Sequence, residues 1–468
     1  MMKKAAFTAM SVVLAAGLTA CGGGSDNGSG STGASAAPSA GAGATKAPSG
    51  EKVKLTYWTG DRHDTDYIKE VIQKFNTTNK DNIEVEMVVR SEDFDQALDL
   101  AFTSAQAPDI FRTKENTIQM HYKKGYMAPL DGYLTPELKS KFPAMDELNS
   151  FDGKMYSLPN YGTTMRLVYN VDLFEKAGIK NPPTTLKEMV EDAKKITAVG
   201  KASGAYGIAF NLKSPNSALG RSARLIAELS GYGGFGYDFK TGRFDFNGWK
   251  DIINSFKQMK DDGSMLPGVE SLDIDPLRAQ FAEGKIGMYM SFSSEPGVYK
   301  NQFPAKIRWA AAPAPTVTGE VKGASGFLGG QWLAISKDSK HKDEAWKFLS
   351  YMYQNEVLQT YHEKGFGISM VPEVAAKAKA PDIGGIEGFL PNKSDGVWPI
   401  SPTVNVQGIK YYDAFFKYML EGGDLNKMVD DLNKRYNDAL DKAVAAGEVK
   451  AKAIPDFDPA KLGGKYAK

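Results

Sequence analysis

Residues 53–59 read VKLTYWT and residues 83–89 read IEVEMVV. Both alternate with a period of two and are rich in β-branched and aromatic residues, so each is expected to form a strand. Between them Tyr67, Ile68, Val71, Ile72 and Phe75 recur at helical spacing. Ser91-Glu92 then opens a second helical pattern that carries Phe94, Leu98, Ala101 and Ala105 on one face. Ala107-Pro108-Asp109-Ile110-Phe111 follows as a short buried strand. Strand, helix, strand, helix, strand predicts an α/β unit: a parallel sheet with covering helices.

Outward from this unit the alternation continues without sequence repetition. Leu167–Asn170 and Tyr206–Asn211 are strand-like, and Thr185 is suited to cap a helix running from Leu186 to Val199. Further helices are expected over 249–260, 276–283 and 342–353, with strands at 286–290 and 331–335. Several more helical stretches fill 405–446. At roughly 100–200 residues per domain, a chain this long makes two or three domains. The pattern predicts a two-lobed α/β body.

The first fifty residues have a different composition. Lys3 and Lys4 precede an apolar stretch, Ala5 to Leu18, that is too short to span a bilayer and reads as a secretory signal. Leu18-Thr19-Ala20-Cys21 resembles the lipobox of bacterial lipoproteins. That resemblance implies cleavage after residue 20 and diacylation of Cys21, which is the single cysteine of the chain. Residues 21–50, rich in Gly, Ser and Ala, contain nothing that could form a core and read as a disordered tether. Its r.m.s. reach is roughly 30 Å.

Charge and composition remove several classes of function. With 57 basic and 56 acidic residues there is no basic excess for a nucleic-acid partner. One cysteine cannot form an internal disulfide, and four scattered histidines do not suggest a metal centre. No metal or cofactor is expected. No GxSxG, HExxH or GxxxxGK[ST] motif occurs in the body; Gly284-Lys285 is followed by Ile286. Among enzymes, a carbohydrate-cleaving pair of carboxylates is the alternative to weigh, and a surface adhesin is the alternative outside enzymology.

Several stretches, taken in order, resemble a known family. They are Leu55-Thr56-Tyr57-Trp58, Ala107-Pro108-Asp109-Ile110, residues 167–179 (LVYNVDLFEKAGI) with Pro182-Pro183-Thr184-Thr185, residues 281–288 (FAEGKIGM), residues 329–335 (GGQWLAI) and residues 345–349 (AWKFL). Together they resemble the extracellular solute-binding proteins of family 1, the carbohydrate-binding subunits of ABC importers. The resemblance implies a periplasmic-binding-protein-like fold with parallel-rich sheets and hinge strands between the lobes. It also implies a carbohydrate ligand in the cleft, ABC permease partners, no catalysis, and an extracytoplasmic monomer held to the outer face of the membrane by its lipid. The expected divisions are 51–163 with 304–352 for lobe one, 164–303 with 353–446 for lobe two, and a tail at 447–468.

A sugar offers apolar C–H faces and a rim of hydroxyls, so its site needs aromatic faces and charged or amide groups. These belong on loops at the C-terminal ends of parallel strands. The loop after the first strand supplies Trp58, Asp61 and Asp64. Trp58 is either a stacking face or core, and the two aspartates either bind ligand or shape the turn. Arg112 follows the third strand and points either to the cleft or to the surface. Tyr161 lies near the first hinge crossing, and Ser293 and Glu295 follow the strand at 286–290. Tyr232 sits in GYGGFG, whose letters fit GxGxxG but whose context, a helix before and a hairpin-like YDFKTGRFDF after, rejects a dinucleotide site and suggests a mobile loop. Trp332 follows two glycines and is the leading candidate for a stacking platform, with Phe366 behind it.

Overall fold

The computed structural model describes residues 52–464 except 91–92, 115–116, 143, 146–147, 330–331, 380, 383 and 452. The signal sequence, Cys21, the tether, the helix start at Ser91-Glu92, Gln331 and the last four residues therefore lie outside the described residues.

The alternating stretches are strands. Val53–Thr59 pairs in parallel with Ile83–Val89, from Val53 opposite Ile83 to Thr59 opposite Val89, and in parallel with Ile110–Thr113. Trp332–Ile335 closes this four-stranded sheet as an antiparallel edge. Period-two alternation divides its side chains between two clusters. Leu55, Tyr57, Ile110, Leu333 and Ile335 pack on one face, and Phe111, Trp332 and Ala334 on the other. The expected helix at 67–75 spans Thr65–Thr78 and buries Tyr67, Ile68, Val71, Ile72 and Phe75 against the first of these faces.

A second four-stranded sheet has the order Trp309–Ala312, Met165–Asn170, Ile286–Phe292, Tyr206–Ile208. Here Met165–Asn170 runs antiparallel to both neighbours, and only Ile286–Phe292 and Tyr206–Ile208 are parallel. The sheet is thus mixed, because the strand that brings the chain in from the other lobe enters against the direction of the rest. Helix Leu186–Gly200 covers it. Its start is fixed by a capping box in which Thr185 accepts from Glu188 N while the Glu188 carboxylate accepts from Thr185 N.

The lobes meet at a third, three-stranded sheet. Tyr161–Thr163 lies between Leu328–Gly329 and Ile368–Ser369, antiparallel to both, so each passage of the chain between lobes contributes one strand. A Cβ on Gly162 would fall 2.0 Å from the Phe327 ring, which only glycine avoids. Two segments sit differently from the expected division. Trp309–Ala312 pairs with Met165–Asn170 in the second sheet, although 304–352 had been assigned to lobe one. Val357, Leu358, Tyr361, Val371 and Val374 pack in the core of the first sheet, although 353–446 had been assigned to lobe two. The chain changes lobes only where the hinge strands pair, and these lie beyond both assumed boundaries. The segment after 446 is not free-standing: Ile454 N donates to Phe239 O (2.7 Å) and Phe457 packs on Phe239 and Trp398.

Beside the hinge lies a fully buried ion pair. Arg166 donates to Asp395 through Nη1 (2.8 Å) and Nη2 (2.7 Å), and to the carbonyls of Met165, Gly388 and Leu390. Asp395 also accepts from Asn392 N (2.8 Å). Removing one member of such a pair strands the other charge. Asp395→Ala is expected to lose about 3–5 kcal/mol in urea denaturation, and a loss below about 1 kcal/mol would show that the pair does not hold this junction.

Candidate functional site

The C-terminal ends of the three parallel strands of the first sheet bring Thr59, Val89 and Thr113 to one edge, and the loop 60–64 turns there. Thr59 holds the loop twice: its carbonyl accepts from Arg90 N (2.8 Å) and its hydroxyl from Asp61 N (3.1 Å). Asp61 makes an ion pair with Arg112, on the adjacent strand. Burial disfavours ionisation of Asp61, but the Arg112 guanidinium, His63 and Lys114 together outweigh it and hold the carboxyl below the usual carboxylate range. Arg112 is only 7% exposed, and its Nη1 is buried without a hydrogen-bond partner.

Asp64 behaves in the opposite way. It is buried, accepts a hydrogen bond from Tyr361 Oη (2.8 Å) and lies 4.0 Å from His63 Nε2. Burial pushes its carboxyl above the usual value; His63 opposes this and the nearby Asp61 charge adds to it. Behind the loop stands an aromatic wall. Tyr361 stacks on Tyr161 at 3.9 Å, and Phe366 stacks on Tyr67 at 5.7 Å.

Loop 60–64 also touches the other lobe. Arg62 Nη1 lies 2.9 Å from Asp275 Oδ2, and Gln302 Nε2 donates to the carbonyls of Arg62 (3.2 Å) and His63 (3.0 Å). Asp275 opens helix Ile274–Ala282, with Asp273 as its N-cap, and also pairs with Arg278 (3.0 Å). Arg278 in turn grips Glu295 with Nη2 (2.6 Å) and Nε (3.1 Å).

The structure brings Asp61, Asp64 and Arg112 together, with Tyr161 and Phe366 in the supporting wall. The other expectations are corrected. Trp332 is 1% exposed, and its indole N–H is 3.5 Å from Tyr161 O. Alternation along its strand turns it with Ala334 and Phe111 into the core beneath the sheet, so it presents no open face. Trp58 is half-buried against the same cluster, and the Arg90 guanidinium covers its ring at 4.2 Å. Glu295 is fully buried, and besides Arg278 it accepts from Ser291 (2.6 Å) and Tyr289 (3.0 Å), so its lone pairs are taken. Ser293 is buried in a reciprocal contact with Thr164: its N donates to Thr164 O (2.9 Å) and its hydroxyl accepts from Thr164 N (3.3 Å). Tyr232 is 38% exposed and its ring lies over Gly248, where a Cβ would fall 2.4 Å from it; its site is a packed turn of lobe two.

Sequence reading passed over Tyr361 and Asp275. The Asp273-Ile274-Asp275 run three residues before Arg278 was a visible helix-start signal; Tyr361 carried none, since its partner Asp64 is 297 positions away. Among the described residues no three His, Cys, Asp or Glu side chains gather to hold a metal, and no helix is long and apolar enough to cross a membrane.

These two sheets, a three-stranded hinge and a polar inter-lobe contact define a two-lobed solute-binding fold. The chain belongs to the bacterial extracellular solute-binding proteins, whose family model matches residues 60–359. A Brucella abortus protein named only as a binding protein is 30% identical over 237 residues, 50% of this chain and 55% of that one. The chain thus spans about half the length of such relatives. The maltotriose-binding protein of Pyrococcus abyssi is 26% identical over 308 residues, 64% of this chain and 62% of its own. In fold the chain is similar to an ABC substrate-binding protein of Listeria monocytogenes solved with cycloalternan, with a TM-score of 0.66 at 19% identity over 84% of this chain and all of that one.

The two aspartates respond oppositely to pH. The depressed Asp61 stabilises the fold fully above the ordinary carboxylate value of about 3.9, and that stability is lost as pH falls through its folded value. The raised Asp64 does the reverse: its contribution is complete below the ordinary value and is lost as pH rises through its folded value. Asp61→Asn, which leaves the buried Arg112 unpaired, should cost about 3–5 kcal/mol at neutral pH. Asp64→Asn should cost no more than about 1 kcal/mol there and should flatten the alkaline side of the stability profile. Denaturant melts from pH 3 to 8 check both; equal losses in the two variants would refute the assignment.

Proposed function

We propose that this protein captures a carbohydrate, an oligosaccharide, between its two lobes and presents it to the permease of an ABC importer. The observation that carries this reading is the edge of the first sheet, where Asp61 and the buried, incompletely bonded Arg112 lie at the lobe contact. A charged acceptor and a charged donor shielded from water suit sugar hydroxyls. The family match and the maltotriose named for the Pyrococcus relative support the same reading. Of the remaining candidates, Asp64 orders the loop through Tyr361.

Calorimetry against a panel of mono- and oligosaccharides, with chromatography of the incubated sugar, tests the reading. Saturable binding without cleavage is expected; cleavage would favour an enzyme, and silence across the panel an adhesin. Arg112→Met should weaken binding about ten-fold or more, which is 1.4 kcal/mol or more of lost contact. Unchanged affinity would move the site away from the first sheet.

The same proposal includes anchoring by lipid on Cys21, whose two acyl chains are enough for stable attachment. Cys21→Ala is expected to leave the protein soluble, or uncleaved with its signal attached. A variant trimmed to mature length that still sediments with membranes would exclude the anchor.

A further inference from the structure

Arginines in this protein come with carboxylates. Arg62 has Asp275, Arg112 has Asp61, Arg166 has Asp395, Arg224 has Glu228 and Arg278 has Glu295. Arg221 is the exception among the buried and half-buried arginines. It ends helix Pro215–Arg221, and the groups within hydrogen-bond reach of its guanidinium are neutral. Nε lies 3.4 Å from Ser217 Oγ, Nη1 lies 3.2 Å from Ser291 Oγ, and the guanidinium stands 4.6 Å over the Phe292 ring. The carboxylate closest by connection is Glu295, reached through Ser291, and its oxygens are engaged by Arg278, Ser291 and Tyr289.

A half-buried cation without a counter-ion is costly to keep charged. Burial, with Arg278 close by, pushes Arg221 down to about 10, against the attraction of Glu295 and Asp275, neither of which is paired with it directly. The position of the group is also informative. Ser291 and Phe292 are at the C-terminal end of strand Ile286–Phe292, and Asn211, which bonds Ser217, lies just past its parallel neighbour Tyr206–Ile208. Ligands of open α/β sheets bind beyond these ends. The contact of Arg62 from the other lobe with Asp275, which also pairs with Arg278, shows that this edge faces the first lobe.

We propose that Arg221 is a specificity-determining residue for a carboxylate on the ligand, so that the preferred substrate is an acidic oligosaccharide carrying a uronic acid ring. This rests on the carbohydrate-binding reading above and narrows it. A guanidinium presents a planar fork that matches a carboxylate in two parallel hydrogen bonds. A single unpaired positive charge balances one carboxylate; a phosphate brings nearly two charges and would leave one uncompensated. Phe292 stands against the guanidinium at 4.6 Å, and the proposed carboxylate takes hydrogens that Ser217 and Ser291 leave unused.

The test uses the purified full chain and two matched sets of disaccharides, one gluco and one galacto. Each set contains the neutral sugar, its C6-carboxylate counterpart and its 6-phosphate. In calorimetry the carboxylate member is expected to bind at least ten-fold more tightly than the neutral one, and Arg221→Gln should erase that difference while leaving neutral-sugar affinity within about three-fold. A second measurement needs no ligand: the thermal midpoint of ligand-free Arg221→Gln should be equal to wild type or higher, because an uncompensated charge has been removed. The proposal is overturned if neutral sugar or phosphate binds as well as carboxylate, if Arg221→Gln weakens neutral and acidic sugars alike, or if it lowers the ligand-free midpoint. Binding of neutral sugar alone would sink the acidic preference and leave the carbohydrate reading standing. Failure of every sugar would remove both.

Discussion

Arg166 and Asp395 are both out of water, 229 positions apart, and their pairing fixes where the chain turns from one lobe into the other. The constraint is electrostatic and exacting. Burying two ions costs several kcal/mol each, and the attraction between them offsets this only when every remaining donor and acceptor is also satisfied. All five guanidinium N–H groups find oxygen, three of them on backbone carbonyls. Those carbonyls belong to Met165, Gly388 and Leu390, so one side chain ties the strand that enters lobe two to the loop that returns from lobe one. The short strands of the hinge, two or three residues each, could not keep their register alone.

The candidate site has the reverse character. Its polar groups are paired but not saturated: Arg112 keeps a buried Nη1 without a hydrogen-bond partner among the described residues. Fully satisfied networks such as Arg278–Glu295–Tyr289–Ser291 hold shape and have nothing left to offer a ligand. The same residue types therefore serve two purposes, separated by whether their bonding capacity is used up. This is why Glu295, in the right place along the sequence, belongs to the scaffold.

What the sequence made legible follows the same division. The alternation of Val53–Thr59 and Ile83–Val89, the helix Thr65–Thr78 and the Thr185 cap are local signals, and the structure reproduces them because short-range chemistry decides them. The Asp61–Arg112 neighbourhood was legible because parallel strands bring their ends to one edge. Trp332 was misread for an identifiable reason. In the uniformly apolar WLAI every position suits either face of the sheet, so alternation gives the period but not the phase; pairing with Ile110–Thr113 sets the phase. The later hinge positions, Leu328–Gly329 and Ile368–Ser369, were out of reach, since strands of two residues have no periodicity to read. The partners of Asp64 and Arg62 depend on tertiary contacts nearly 300 and more than 200 positions away.

The contact between lobes is weak. Arg62 and Asp275 are 37% and 25% exposed, in contrast to Arg166 and Asp395. Ion pairs that remain hydrated contribute about 0.2–1 kcal/mol, and the two hydrogen bonds from Gln302 are exposed as well. A bias near 1 kcal/mol changes a two-state ratio only about five-fold. Moving such an equilibrium from mostly open to mostly closed takes roughly 5.5 kcal/mol of differential binding. The exposed contact can therefore orient the lobes without locking them. Any larger share must come from a ligand that touches both lobes. A contact worth several kcal/mol would hold the lobes shut whether or not anything was bound, and closure would then report nothing.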